Sequence, residues 1–91
     1  MIYEFNNIKY SLEHDDGKIF DYDLVKELVT DYFISYDYIL FDMAYNKLRL
    51  KGFCDRDNKK YKEINDFSKL DDYIKNYCAE GCKWFYLKKI K

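Results

Sequence analysis

Tyr38-Ile39-Leu40-Phe41-Asp42-Met43-Ala44-Tyr45-Asn46-Lys47-Leu48-Arg49-Leu50-Lys51-Gly52-Phe53 is the stretch that decides the fold. Its apolar residues recur with a period of two on either side of Tyr45-Asn46, which reads as a hairpin with a two-residue loop. That register pairs Met43 with Leu48, Phe41 with Leu50 and Ile39 with Gly52 on an inner face. Asp42 with Arg49, Leu40 with Lys51 and Tyr38 with Phe53 fall on the outer face. Opposite charges meet across the strands and large apolar side chains meet each other, so both faces support one register.

Working outward, Ile2 to Phe5 and Ile8 to Leu12 flank Asn6-Asn7, residues that tolerate the positive φ of a tight hairpin turn. This second hairpin sets Phe5 against Ile8, Tyr3 against Tyr10, and Glu4 against Lys9. Between the hairpins, Leu24, Val25, Leu28, Val29, Tyr32 and Phe33 form one apolar stripe along a helix of about three turns, with Asp21 or Asp23 as its cap. After the second hairpin, Lys59 to Ile64 reads as a short, Lys-rich edge strand. Phe67, Leu70, Ile74, Tyr77 and Cys78 then form a second amphipathic helix, capped by Asp66 or Ser68 and stopped at Gly81. Lys83 to Ile90 closes the chain as a strand. The expected fold is α+β: a single small domain over residues 1–91. It has an antiparallel sheet of four to six strands and two amphipathic helices on one face. Its chain order is split-βαβ-like, with an extra N-terminal hairpin strand.

Composition narrows the class. Ninety-one residues leave room for one domain, which buries about 60 to 65% of the surface its unfolded chain exposes. With 21% aromatic residues, 36% charged residues and no proline, disorder and linker-like chains are excluded. Lysine, asparagine, isoleucine, tyrosine and phenylalanine abound while alanine, glycine and arginine are scarce. This bias toward AT-rich codons points to a low-GC bacterium, its phages or its mobile elements. The N-terminus lacks a basic start followed by an apolar stretch, and the longest apolar run, Tyr38 to Phe41, is too short for a bilayer, so the expected setting is cytoplasmic with no membrane partner.

Catalytic and metal chemistry find little support. The one histidine, His14, sits in an acidic turn, and the pattern places no nucleophile beside it. Cys54, Cys78, Cys82 and His14 could supply four zinc ligands in principle. However, no C-x2-C knuckle exists and Cys78 continues an apolar stripe, so they are read as thiols and no metal is expected. Asp55-x-Asp57 opens like a calcium loop, but Lys59 and Lys60 occupy positions that need a ligand and a glycine. With three glycines in the chain there is no phosphate cradle, and no cofactor is expected. Lys51-Gly52-Phe53 matches the opening of the third-strand signature of RNA recognition motifs. The aromatic due two residues after Phe53 is absent, and that family is not assigned.

Two surfaces remain. Residues 1–46 hold ten acids and three bases, a net of −7, whereas residues 47–91 hold thirteen bases and seven acids, a net of +6. Asp15, Asp16, Asp21, Asp23 and Glu27 cluster across one loop and the start of the first helix. They are either a well-capped helix start or a negative patch that docks on a basic, nucleic-acid-binding groove of another protein, with Tyr22 and Tyr36 as exposed aromatic anchors. The basic half suggests an alternative. Tyr38, Arg49, Lys51, Phe53, Trp84 and Tyr86 would share an open sheet face suited to RNA or single-stranded DNA, unless a second copy covers it as a homodimer or the aromatics form a small core of their own. The expectation is a non-catalytic binding protein, an inhibitor or adaptor of phage or mobile-element origin that acts on a nucleic-acid-handling host defence enzyme. Protein is favoured over nucleic acid as the partner.

Overall fold

Both hairpins close on residues in the left-handed region: Asn6 and Asn7 at φ 52° and 66°, Tyr45 and Asn46 at φ 52° and 64°. Such turns match the twist of the strands they join. They set the first pairing in the computed structural model, which describes residues 1–15, 17–77 and 81–90. Strand β1 (Ile2–Phe5) pairs with β2 (Ile8–Glu13) with Phe5 opposite Ile8, Tyr3 opposite Tyr10 and Glu4 opposite Lys9. Strand β3 (Tyr38–Ala44) pairs with β4 (Lys47–Phe53) with Phe41 opposite Leu50 and Asp42 opposite Arg49. Both registers follow the side-chain pattern.

Strand β5 (Trp84–Lys89) inserts between the hairpins, antiparallel to β2 and to β3, and gives a five-stranded sheet in the order β1-β2-β5-β3-β4. β2 and β3 are therefore parallel and split by β5, and β4 and β5 are parallel and split by β3. This is the α+β class the sequence implies, with both crossovers of the split kind.

The helices, however, lie on opposite faces. Helix α1 (Tyr22–Leu28) buries Val25, joined by Val29 at its end, against Phe5, Tyr10, Ile39, Phe41, Phe85 and Leu87. Helix α2 (Leu70–Tyr77) sits on the other side, where Leu70 joins Tyr38, Leu40 and Phe53, with Phe67, Tyr73 and Ile74 packed alongside. The two crossovers span two strand positions in opposite directions, with their strands reversed. Crossovers of one hand would put both helices on one face, so these two are of opposite hand. The physical reason lies in β3: Tyr38 to Phe41 are all buried, and a strand apolar on both faces needs cover on both.

Two further expectations change. Helix α1 runs for seven residues and leaves helical geometry at Val29, whose carbonyl accepts from Asn6 Nδ2 at 2.6 Å. Tyr32, meant to continue the stripe, is exposed. Residues 59–64 form no strand. Asn58 fixes a turn there, its Oδ1 accepting from Lys60 N at 2.7 Å and its Nδ2 donating to the Ser35 carbonyl at 3.0 Å. Short 3-10 turns follow at Glu63–Asn65 and Phe67–Lys69, and Asp66 caps the second by accepting from Ser68 N. No described helix is long and apolar enough to cross a membrane.

Candidate functional site

The acidic cluster is narrower in three dimensions than in sequence. Asp15 is half-buried and accepts from Ile19 N at 3.0 Å and Phe20 N at 3.4 Å, which ties its own loop together. Asp21 is the cap of α1, with Oδ1 3.1 Å from Asp23 N and 3.4 Å from Leu24 N. These two carboxylates are engaged by backbone donors, as the helix-start reading requires. Asp23 and Glu27 stand exposed one turn apart on α1, and Asp16 lies outside the described residues.

Of the two tyrosines proposed as anchors, only Tyr22 joins the acids. Its ring lies 5.2 Å from Phe5 and 5.9 Å from Tyr3, and its hydroxyl donates to the Glu4 carbonyl at 3.3 Å, so β1 holds it in place. Tyr22 and Leu24 are respectively 39% and 42% exposed beside the acids, an apolar step within a negative surface. Tyr36 belongs elsewhere. It is half-buried over Gly52 on β4, at the far edge of the sheet from β1, roughly 19 Å away at the usual strand spacing. A Cβ on Gly52 would come within 2.4 Å of that ring, so the glycine is what admits it. The Tyr36 hydroxyl meets the Tyr32 hydroxyl at 3.2 Å, and this bond together with burial pushes Tyr36 up to about 12.

The aromatic sheet face, offered as an alternative open platform, is covered. Tyr38 stacks on Phe67 with ring centres 3.6 Å apart, Phe53 lies edge-on to Tyr73 at 5.7 Å, and Tyr86 meets Phe67 at 5.5 Å. Trp84 stacks on His14 at 4.4 Å, so the exposed histidine is a cover for the indole. Arg49 donates to both Asp42 oxygens, at 3.0 and 2.7 Å, and to the Tyr77 carbonyl at 3.2 Å. Lys51 Nζ lies 5.3 Å from the centre of the Phe53 ring and 5.4 Å from that of Tyr73. The aromatics make a second core under α2, the outcome that removes an open stacking platform. The misplacement comes from setting both helices on one face. The signal against it was the unbroken apolar run of Tyr38 to Phe41.

One cluster was missed. Asp37, Asp55 and Asp57 each bring a carboxylate oxygen within 4.8 Å of the others, a group able in principle to hold a cation. Asp37 Oδ2 already accepts from Asp55 N at 2.9 Å and from Asn58 Nδ2 at 3.1 Å, and Tyr38 donates to Asp55 at 3.1 Å. The cluster thus pins the turn after β4. Its sequence signal, Asp55-x-Asp57, is visible, but Asp37 lies just before β3, at the other end of the hairpin in sequence. The zinc set is not assembled: Cys54 and Cys82 sit by opposite ends of β3, about 20 Å apart at strand rise, and Cys78 falls outside the described residues. Burial pushes the Cys54 thiol up and burial pushes Tyr10 up to about 12, while hydrogen bonds from Tyr61 and Ser68 hold Asp66 down to about 2. Each of these groups is moved away from neutrality, the reverse of what a general acid or base needs.

Comparison with known proteins supports the fold. Residues 4–88 match the family described as "Putative antitoxin YutD-like". The chain belongs to the YutD-like family. It is 40% identical over 85 residues to the Bacillus subtilis (strain 168) protein named "Putative antitoxin YutD", covering 93% of each chain. The solution NMR structure of YutD from B. subtilis superposes with a TM-score of 0.80 at 37% identity, covering all of this chain and 83% of that one. The YutD-like fold is thus the small α+β domain described above.

Proposed function

We propose that the protein is a non-catalytic inhibitor that neutralises a partner protein by covering it, as the antitoxin description of its relatives implies, and that it docks through the acidic surface at the start of α1. The observation that carries this reading is the placement of exposed Asp23 and Glu27 beside exposed Tyr22 and Leu24, on a helix anchored to the sheet by Val25 and Val29. A rigid aromatic flanked by carboxylates supplies both contact area and electrostatic steering toward a cationic surface. The partner surface that fits is a basic groove of the kind that binds nucleic acid, in a cytoplasmic nucleic-acid-handling enzyme. A phage or mobile-element origin in a low-GC bacterium is the setting in which such an inhibitor acts on host defence.

The test is capture with the full chain from its native host, identification of the partner by mass spectrometry, and titration of the purified pair. Reversing Asp23 and Glu27 to lysine with Tyr22→Ala should weaken the complex by about tenfold or more. The far-UV spectrum should stay unchanged, since none of the three side chains is in the core. An unaltered affinity for a variant that remains folded would refute the docking surface.

A further inference from the structure

Strand β4 is an edge strand, and the direction of its backbone groups can be worked out. A two-residue loop makes Ala44 and Lys47 a hydrogen-bonded pair, so odd-numbered residues of β4 face β3 while Leu48, Leu50 and Gly52 turn N–H and C=O away from it. Cys54 keeps the alternation. Its N–H donates to the Asn65 carbonyl at 2.8 Å and its C=O accepts from Phe67 N at 3.1 Å, in a one-residue parallel bridge with Asp66. The chain thus starts to add a strand at this edge and then stops. Among the described residues, no strand pairs with Leu48, Leu50 or Gly52 on that side.

A groove of about 730 Å³ runs along this edge, bordered by Leu50 and Gly52 of β4 and by Tyr32, Tyr36 and Ile64. Tyr32 and Ile64 are 67% and 76% exposed. The charged residues of the lining are Lys51, Lys59, Lys60 and Lys62, and no acid is among them.

The geometry points to this edge as a docking site for an extended segment of another protein that alternates apolar and acidic residues, added to the sheet as a sixth strand beside β4. Alternation follows from the pleat: side chains on one face of an added strand would meet Leu48, Leu50 and Tyr36, and those on the other would meet Lys47 and Lys51. Lys59, Lys60 and Lys62 add a positive rim that favours carboxylates. A second copy of this chain is disfavoured, because β4 laid antiparallel on β4 sets the same cationic face against itself. The outward backbone positions of Leu48 and Leu50, in strand register, favour a polypeptide over a nucleic acid. The α1 surface plays no part in this site, so the two readings stand or fall separately.

The experiment is selection of random ten-residue peptides on the immobilised full chain, followed by NMR hydrogen exchange with the selected peptide made synthetically. The expected result is enrichment of alternating apolar and acidic residues, with new protection at the Leu48 and Leu50 amides. A Lys59→Glu, Lys60→Glu, Lys62→Glu variant should bind the peptide about tenfold more weakly or worse with its far-UV spectrum retained. Failure to enrich acidic peptides, protection elsewhere, or undiminished binding by the triple variant would overturn the proposal. So would a ten-nucleotide oligouridylate that protects the same amides in place of the peptide, which would make the groove a nucleic-acid site.

Discussion

The two faces of the sheet are held by different chemistry. Under α1 the buried side chains are Phe5, Tyr10, Val25, Val29, Ile39, Phe41, Phe85 and Leu87, and the Tyr10 hydroxyl is the one buried side-chain polar atom there without a hydrogen bond among the described residues. Under α2 the core is smaller and aromatic, and buried acids edge it: Asp42 bonded to Arg49, and Asp66 bonded to Tyr61 at 2.8 Å and to Ser68 Oγ at 2.8 Å. On the first face polar bonds serve the ends of α1, where Asp21 caps its start and Asn6 Nδ2 donates to the Val29 carbonyl, whereas on the second face charge-assisted hydrogen bonds from buried carboxylates reach the margin of the core itself. The difference teaches that the 3-10 turn leading into the second helix is fixed by a buried carboxylate as much as the helix is by its apolar stripe.

The largest test of that contrast is truncation of one ring on each side. Phe41 is fully buried and stacks on Phe85 at 4.7 Å, so Phe41→Ala should cost about 4 kcal/mol, a large share of the stability of so small a domain. Phe67 is half-buried at the margin of the second core, where the 3-10 turn can settle inward, so Phe67→Ala should cost about 2 kcal/mol. Urea denaturation followed by far-UV circular dichroism measures both. Equal losses would erase the distinction between the faces.

The same contrast explains what the sequence made legible. Period-two patterning and opposite-charge pairs fixed both hairpin registers, because a slip of one residue would turn every buried side chain outward. Position across the sheet is a different matter. Nothing local tells β5 to lie between β2 and β3, since that follows from Phe85 and Leu87 finding Phe41 and Ile39 across long sequence separations. The site was legible in composition and less so in geometry. Asp15 and Asp21 belong to local backbone bonding, which short acidic side chains do routinely, and Tyr36 was separated from Tyr22 by the width of the sheet. Lys59 to Lys62 had the composition of an edge guard, yet the lysines reach the β4 edge from a turn that Asn58 imposes.

Acid provides a sharper and smaller test. Asp66 is held down to about 2, below its ordinary 3.8, first by the Tyr61 hydroxyl and then by Ser68. A carboxyl whose folded value is depressed contributes stability that is fully present above about 4 and is lost as pH falls toward 2, because the unfolded chain takes up the proton first. Asp66→Asn should therefore be less stable than the parent at pH 6, and the gap should close progressively between pH 4 and 2. Hydrogen exchange at the α2 amides should register the change more strongly than exchange at Phe41. A gap that is constant across this pH range would mean that the cap contributes through shape alone.

The smallest effect comes from a site that touches neither core. Tyr45 is fully exposed and holds φ at 52°, in a turn position where asparagine is several-fold enriched and an aromatic residue has no compensating contact. The equivalent position of the first hairpin is Asn6, also at φ 52°, so the molecule contains its own control for the substitution. Tyr45→Asn should raise stability by about 0.5 kcal/mol, read as a rise of roughly 2 to 4 °C in Tm for a domain of this size. Because β3 contributes to both faces, the gain should appear equally in exchange at Phe41 and at Leu40. A gain confined to one face would show that the two cores unfold separately, which would convert the chemical contrast between them into a difference in cooperativity.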